Sequence, residues 1–286
     1  MNYLSNQKLT SLTTHVLHSI NQHKPALISP VSMLTPVSLL TMILLSSQAV
    51  AQDQPNASNA EDNSQLSVGV SAMYVNNAYD ADNKVRVLPS IYYDNGQVYL
   101  KGIQLGGYLY DDDTSKVTAF IQPGGNKFDP DDANGALRGL DKRKVSGMAG
   151  VGYQRRVSYA LVSAQLATDV LSNSKGTTAK LSVGTRLPLG KVMVMPSIGV
   201  EWVNDNYNEY YYGVSEKESA QTGVRNYKPG SSINPYINVS ANYKINQDWS
   251  LFLGQAVSYL PDEQYDSPMV DDRVSYRTTL GVSYDF

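Results

Sequence analysis

From Val145 to Phe286 the chain alternates between large apolar side chains and small or polar ones. Leu181, Val183, Thr185 and Leu187 oppose Lys180, Ser182, Gly184 and Arg186. Val192, Val194, Pro196, Ile198, Val200 and Trp202 oppose Met193, Ser197, Gly199 and Glu201. Ile237, Val239, Ala241 and Tyr243 oppose Asn238, Ser240, Asn242 and Lys244, and Leu251 and Leu253 oppose Ser250 and Gly254. A period of two is the mark of a pleated strand. A soluble sandwich brings large aliphatics together on its inner face, whereas the inner residues here are small or polar. A wet interior suits them, and a hydrocarbon solvent suits the aliphatic face. The expected fold is all-β, a transmembrane antiparallel up-and-down β-barrel.

The closing stretch repeats the pattern, with Tyr276, Thr278, Leu280, Val282, Tyr284 and Phe286 on one face and Arg277, Thr279, Gly281, Ser283 and Asp285 on the other. Its aromatic end resembles the terminal signal that outer-membrane barrels present to their assembly machinery. Tyr284 and Phe286 are assigned to that signal, with the machinery as a partner. The amino end is different material. Met1–Lys24 is polar with no acidic residue, the apolar run is densest from Val37 to Leu45, and Ala49-Val50-Ala51 fits the small-x-small rule of signal peptidase. We expect a cleaved signal peptide over 1–51, a flexible periplasmic leader over 52–64 and the barrel over 65–286.

All three histidines (His15, His18, His23) lie within that signal, and there is no Cys. The mature chain then lacks the residues for Ser-His or Cys-His catalysis, imidazole or thiolate zinc sites and disulfides. No catalytic residue, metal site or cofactor is expected, and the chain reads as non-enzymatic. The 26 acidic residues outnumber 23 basic ones, two of which fall in the signal. Without a basic stripe to neutralise phosphates, nucleic acid is not an expected partner. Tyr is abundant at 21 residues, as suits the aromatic girdles of a barrel at the membrane surfaces.

Loop lengths orient the barrel. The joins at Arg155-Arg156, Pro188–Lys191 and Asn246–Asp248 are short, and those at Pro123–Lys144, Asn173–Thr177, Asn204–Gly230 and Pro261–Arg273 are longer. Short turns face the periplasm and long loops the exterior. Asn95-Gly96 marks a tight hairpin, and Val117–Ile121 reads as a short, weak strand. An even strand count follows if Gln97–Lys101 and Ile103–Tyr110 separate near Gly102, giving twelve strands, with ten as the fallback. Lys180, Arg186, Glu201, Lys244 and Arg277 point inward, where they either line a channel or pair and plug it. Tyr207, Tyr210, Tyr211 and Tyr212 read as the upper aromatic girdle, while Tyr211, Tyr212, Gly213 and Ser215 begin an external loop that is a candidate binding surface. The acidic clusters Asp111–Asp113, Asp129 with Asp131-Asp132, and Asp271-Asp272 read first as solvated loops. The alternative is divalent cations bridging lipopolysaccharide. Lys142-Arg143-Lys144 either contacts lipopolysaccharide phosphates or pairs with the neighbouring acids.

The segment Tyr211-Tyr212-Gly213-Val214-Ser215, with Glu218-Ser219-Ala220 and Gly223, resembles one typical of the MltA-interacting protein (MipA/OmpV) family. So do Asp248-Trp249-Ser250-Leu251, Asp266-Ser267-Pro268-Met269-Val270, Arg138-Gly139-Leu140 and Leu187-Pro188-Leu189. The resemblance runs from about Leu66 to Phe286. It implies an outer-membrane barrel serving as a scaffold that brings a lytic transglycosylase together with a murein synthase. Some members are linked instead to adhesion, uptake or antibiotic response. Periplasmic murein enzymes and outer-membrane lipids or lipopolysaccharide are the implied partners, the cell outer membrane is the implied location, and no catalytic residues carry over. A narrow channel for small solutes is the alternative reading.

Overall fold

The computed structural model describes residues 64–286. The expected signal peptide and all but the last residue of the leader lie outside the described residues. Thirteen strands form one antiparallel sheet: β1 (Gln65–Asn76), β2 (Lys84–Asp94), β3 (Val98–Lys101), β4 (Gln104–Asp111), β5 (Ser115–Gly124), β6 (Ser146–Val157), β7 (Ala160–Asp169), β8 (Thr177–Thr185), β9 (Leu187–Leu189), β10 (Val192–Val203), β11 (Ser232–Lys244), β12 (Trp249–Tyr259) and β13 (Val274–Asp285). Apart from β8 and β9, consecutive strands pair with each other, β13 returns to pair with β1, and no edge is left at the seam. Closure is what allows strands to stand in lipid, because the first and last strands satisfy each other's backbone amides.

Strands β8 and β9 lie end to end against the same strand, β10, and make one stave of the wall. The wall therefore has twelve staves. The ladder stops at Gly184↔Ser197 and resumes at Leu187↔Val194, so the break faces Met195 and Pro196. Proline has no N–H to give a ladder. The same Pro196 pairs with Val239 on the other side without interruption.

The two faces follow the alternation. Val183, Ile198, Ile237, Leu253 and Leu280 are exposed on the outside, while Ser71, Ser240 and Ser250 are buried inside. Bulk inside the barrel comes from aromatic rings lying across glycines. Phe252 is paired with Gly281, Tyr236 with Gly199, Tyr99 with Gly106 and Phe120 with Gly150. A Cβ added to Gly281 would stand 2.2 Å from Phe252 Cζ, and one on Gly199 2.6 Å from Tyr236 Cζ. Glycine here gives an inward ring somewhere to lie flat against the neighbouring strand. At the short-turn rim Trp249, Tyr284 and Phe286 stack edge to face, with ring centroids 5.3 Å and 4.8 Å apart.

Two expectations about strand limits are corrected. Arg155-Arg156 is not a turn: β6 runs through it to Val157, and the chain reverses at Ser158-Tyr159, where Ser158 takes φ 57°. Val117–Ile121 is the middle of a ten-residue strand, β5, paired along its length with β6. The separation of β3 from β4 at Gly102 (φ 63°) is as expected. With four residues, β3 does not cross the membrane.

Candidate functional site

Over the long-loop end of the barrel the loops fold into a cap. It contains α1 (Asp205–Tyr212), α2 (Glu216–Thr222) and the single turn α3 (Asp262–Tyr265). Helix α1 starts where the Asn204 side chain accepts from the Tyr207 N–H. Helix α2 starts on a capping box, in which Ser215 and Glu218 satisfy each other's backbone, and stops at Gly223 in the left-handed region. Tyr79, Phe128, Ala133, Leu137, Leu140, Tyr207, Tyr211, Tyr212, Val214, Leu260 and Met269 form one buried cluster drawn from loops all round the rim.

The tyrosines of α1 are therefore cap core, which corrects the reading of them as an aromatic girdle. The strand ends at Val203, and the chain that follows is a helix that turns its rings inward. The Tyr211 hydroxyl donates to the Lys144 carbonyl and meets the Ser146 hydroxyl, both at 3.0 Å, while its carbonyl accepts from Tyr79 at 3.0 Å. Burial pushes the phenols of Tyr79, Tyr207, Tyr211 and Tyr212 up, so all four stay neutral. Gly125, at φ 91°, lies against Tyr211 so closely that a Cβ would fall 1.9 Å from its hydroxyl.

One buried ion pair joins two loops of the cap. Arg143 donates to Glu218 at 2.7 Å and to the Gly213 carbonyl at 3.0 Å, and Glu218 also accepts from the Asp141 and Ser215 N–H groups and the Ser215 hydroxyl. Of the three basic residues Lys142–Lys144, Arg143 is thus internal and Lys142 holds Asp129 at 2.7 Å. Lys127 holds the same carboxylate at 2.8 Å. Burial pushes Asp129 up, but the two lysines prevail and bring it down to about 2. Asp112 caps its own turn, accepting from the Thr114 and Ser115 N–H groups. No group of three or more acidic side chains is placed to hold a metal among the described residues.

Under the cap lies a cavity of about 80 Å³, bordered by Asn126, Glu201, Tyr212, Asn234, Gln264 and Arg277. The inward charges do not act as one group. Lys180 pairs with Glu201 at 3.2 Å close beneath the cap. Lys244 pairs with Asp285 at the short-turn rim. Arg186 stands at the β8–β9 break. Arg277 faces the cavity, with an Nε that has no hydrogen-bond partner among the described residues. Tyr211, Tyr212 and Gly213 are buried in the cap, and Ser215 caps α2 at its surface. Tyr284 and Phe286 lie in the rim stack, and the Phe286 N–H donates to the Leu66 carbonyl at 2.9 Å. The Arg143–Glu218 pair escaped the sequence reading. Its trace was the Ser215-x-x-Glu218 spacing of a capping box, but nothing local names Arg143 as the partner.

A closed barrel with an aliphatic exterior, short turns at one end and a folded cap at the other defines an integral outer-membrane β-barrel protein. Across residues 68–286 the chain matches the family described as MltA-interacting protein MipA, and it belongs to that family. The MltA-interacting protein of Escherichia coli K12 is 38% identical over 224 residues, covering 77% of this chain and 90% of the relative. The putative outer membrane protein YiaT of the same strain is 33% identical, covering 78% and 92%. Outer membrane protein OmpV of Vibrio cholerae is 26% identical, covering 61% and 67%. Among solved structures, an outer membrane channel from Pseudomonas putida F1 aligns over 82% of this chain and 99% of its own at 10% identity and a TM-score of 0.42.

Proposed function

We propose that the protein is a non-enzymatic binding and scaffold protein of the outer membrane, acting in murein and envelope maintenance by holding a murein enzyme at its periplasmic rim. The observation that carries this reading is the cap. A hydrophobic cluster spans the outer mouth and is tied together by the Arg143–Glu218 pair, an arrangement that opposes free solute flow. The relative from Escherichia coli is named for interaction with MltA, and that supports a partner of the same kind here. The short periplasmic turns offer limited surface, so the rim strands and the leader are the natural contact.

The test pairs two measurements on refolded protein: conductance across a planar bilayer and retention of an MltA-type transglycosylase. A silent barrel that retains the enzyme is the expected result. Steady conductance with size-limited uptake and no retention overturns it in favour of a narrow channel for small solutes.

A further inference from the structure

The β3–β4 hairpin leaves the wall incomplete. Strand β2 pairs with β1 from Lys84 to Asp94, but with β3 only from Tyr92 to Asp94. The Gly102 N–H donates to the Ile91 carbonyl at 3.1 Å, and this bond is the sill of an opening. Above it β2 continues for seven residues, roughly 23 Å along the strand at ~3.3 Å each, to its outer end at Lys84. Facing that edge, β5 loses its β4 partner beyond Ile121 and carries on as chain from Gln122 to Asp132. The lintel is the Ala81↔Ala133 bridge with the Asp82 N–H donating to the Asp132 carbonyl. Three residues of β2 lie below the sill and seven above it, so the opening takes up the larger, loop-side part of a wall whose apolar band is about 25 Å tall.

The chemistry of this edge is unusual for a membrane protein. Ile91 points its carbonyl toward β3, so by the period of two Val85, Val87 and Pro89 point their backbones the same way, into the opening. No ladder meets them there among the described residues. Unpaired backbone is tolerated at this depth only against protein, water or another polar partner. Pro89 has no N–H, which guards an open edge against pairing with another strand. A cavity of about 50 Å³ opens beside it, lined by Met73, Tyr79, Phe128, Lys84, Arg86 and Asp132 among others. Of its three acids, Asp132 is held by Lys84, Asp129 by Lys127 and Lys142, and Asp82 is exposed to solvent. Arg86 makes no ion pair with a described residue.

We infer that this opening is a lateral docking slot for a phosphate-bearing lipid of the leaflet on the loop side. Its phosphate sits on Arg86 and its chains lie along the outward Val85 and Val87. Polar head and apolar tail match the two sides of the wall, and phosphate oxygens supply the acceptors that the edge N–H groups of Val85 and Val87 lack.

The test places a photoreactive residue of similar size at Leu88, which faces inward at the slot, in full-length protein refolded into phosphatidylglycerol or phosphatidylcholine vesicles. Ile198, on the outside, is the positive control, and Ser182, inward behind an unbroken wall, is the negative one. Heat-modifiable migration confirms that each variant is folded. Leu88 should capture phosphatidylglycerol within about twofold of Ile198 while Ser182 captures none. Arg86→Gln should lower that capture several-fold, Arg86→Lys should restore most of it, and phosphatidylcholine capture should be weak throughout. A Leu88 probe that behaves like Ser182, or capture indifferent to lipid charge and to Arg86, overturns the inference.

Discussion

Glu218 ties two loops of the cap together through Arg143 and the Asp141 N–H. Burial pushes its carboxyl up, but the Ser215 bonds, the Arg143 charge and the Asp141 N–H more than offset that, and it sits below the usual glutamate value. A carboxyl depressed on folding contributes stability that is fully present above its unfolded pKa and fades as pH falls through the folded one. The cap should therefore loosen below about pH 4, where free glutamate protonates, before the barrel does. Protease cleavage within 215–230 at graded pH will show this, and Glu218→Gln should flatten the profile while leaving the cap looser at every pH. Arg143→Ala strands a buried carboxylate and should cost the cap about 3 kcal/mol, read by hydrogen exchange of α2 amides.

At the scale of elements, the barrel rests on pairs of strands that fit ring to glycine. Gly281→Val drives a side chain into Phe252 and into the Val70 carbonyl, 2.8 Å from the added Cβ. The variant should lose the heat-modifiable band of a closed barrel. Phe252→Ala only removes the ring, so it should keep the band and lower stability by about 3 kcal/mol in urea titration. The final strand has a second task under the reading of its aromatic end as an assembly signal. Phe286→Ser should reduce barrel assembly in cells severalfold while refolding into detergent from urea stays near normal. Equal loss in both settings would make Phe286 a packing residue of the Trp249–Tyr284 stack and nothing more.

For the whole molecule, the cap decides between a conduit and a docking platform. Replacing residues 215–223 with a short glycine-serine turn removes α2 and the Glu218 anchor but leaves all twelve staves. If the cap is the barrier, wild-type protein should be silent in a planar bilayer and the variant should show steps of conductance. Equal silence would place the block just beneath the cap, among the charges Lys180, Glu201 and Arg277. Conductance in the wild type would show that the cluster at the mouth does not seal it.

The wall was legible because a stave reads one residue at a time. Ile198 and Leu253 must face lipid and Ser197 and Gly254 must not, so alternation with turn spacing yields the barrel and even the β3–β4 break at Gly102. Limits set by single residues were less so: Arg155-Arg156 looked like a turn although β6 runs on to Val157, because charge at a rim resembles charge in a loop. The cap was not legible. Tyr207, Tyr211 and Tyr212 meet Tyr79, Phe128 and Met269 through contacts more than fifty residues apart in the chain, and a girdle or a buried helix can be built from the same tyrosines. Local pattern determined the barrel, since lipid and lumen sort side chains by period. The plug over its mouth, the Arg143–Glu218 pair and the opening above Gly102 were decided only when distant loops and staves were brought together, because their energetics lie in partners that no local stretch of sequence contains.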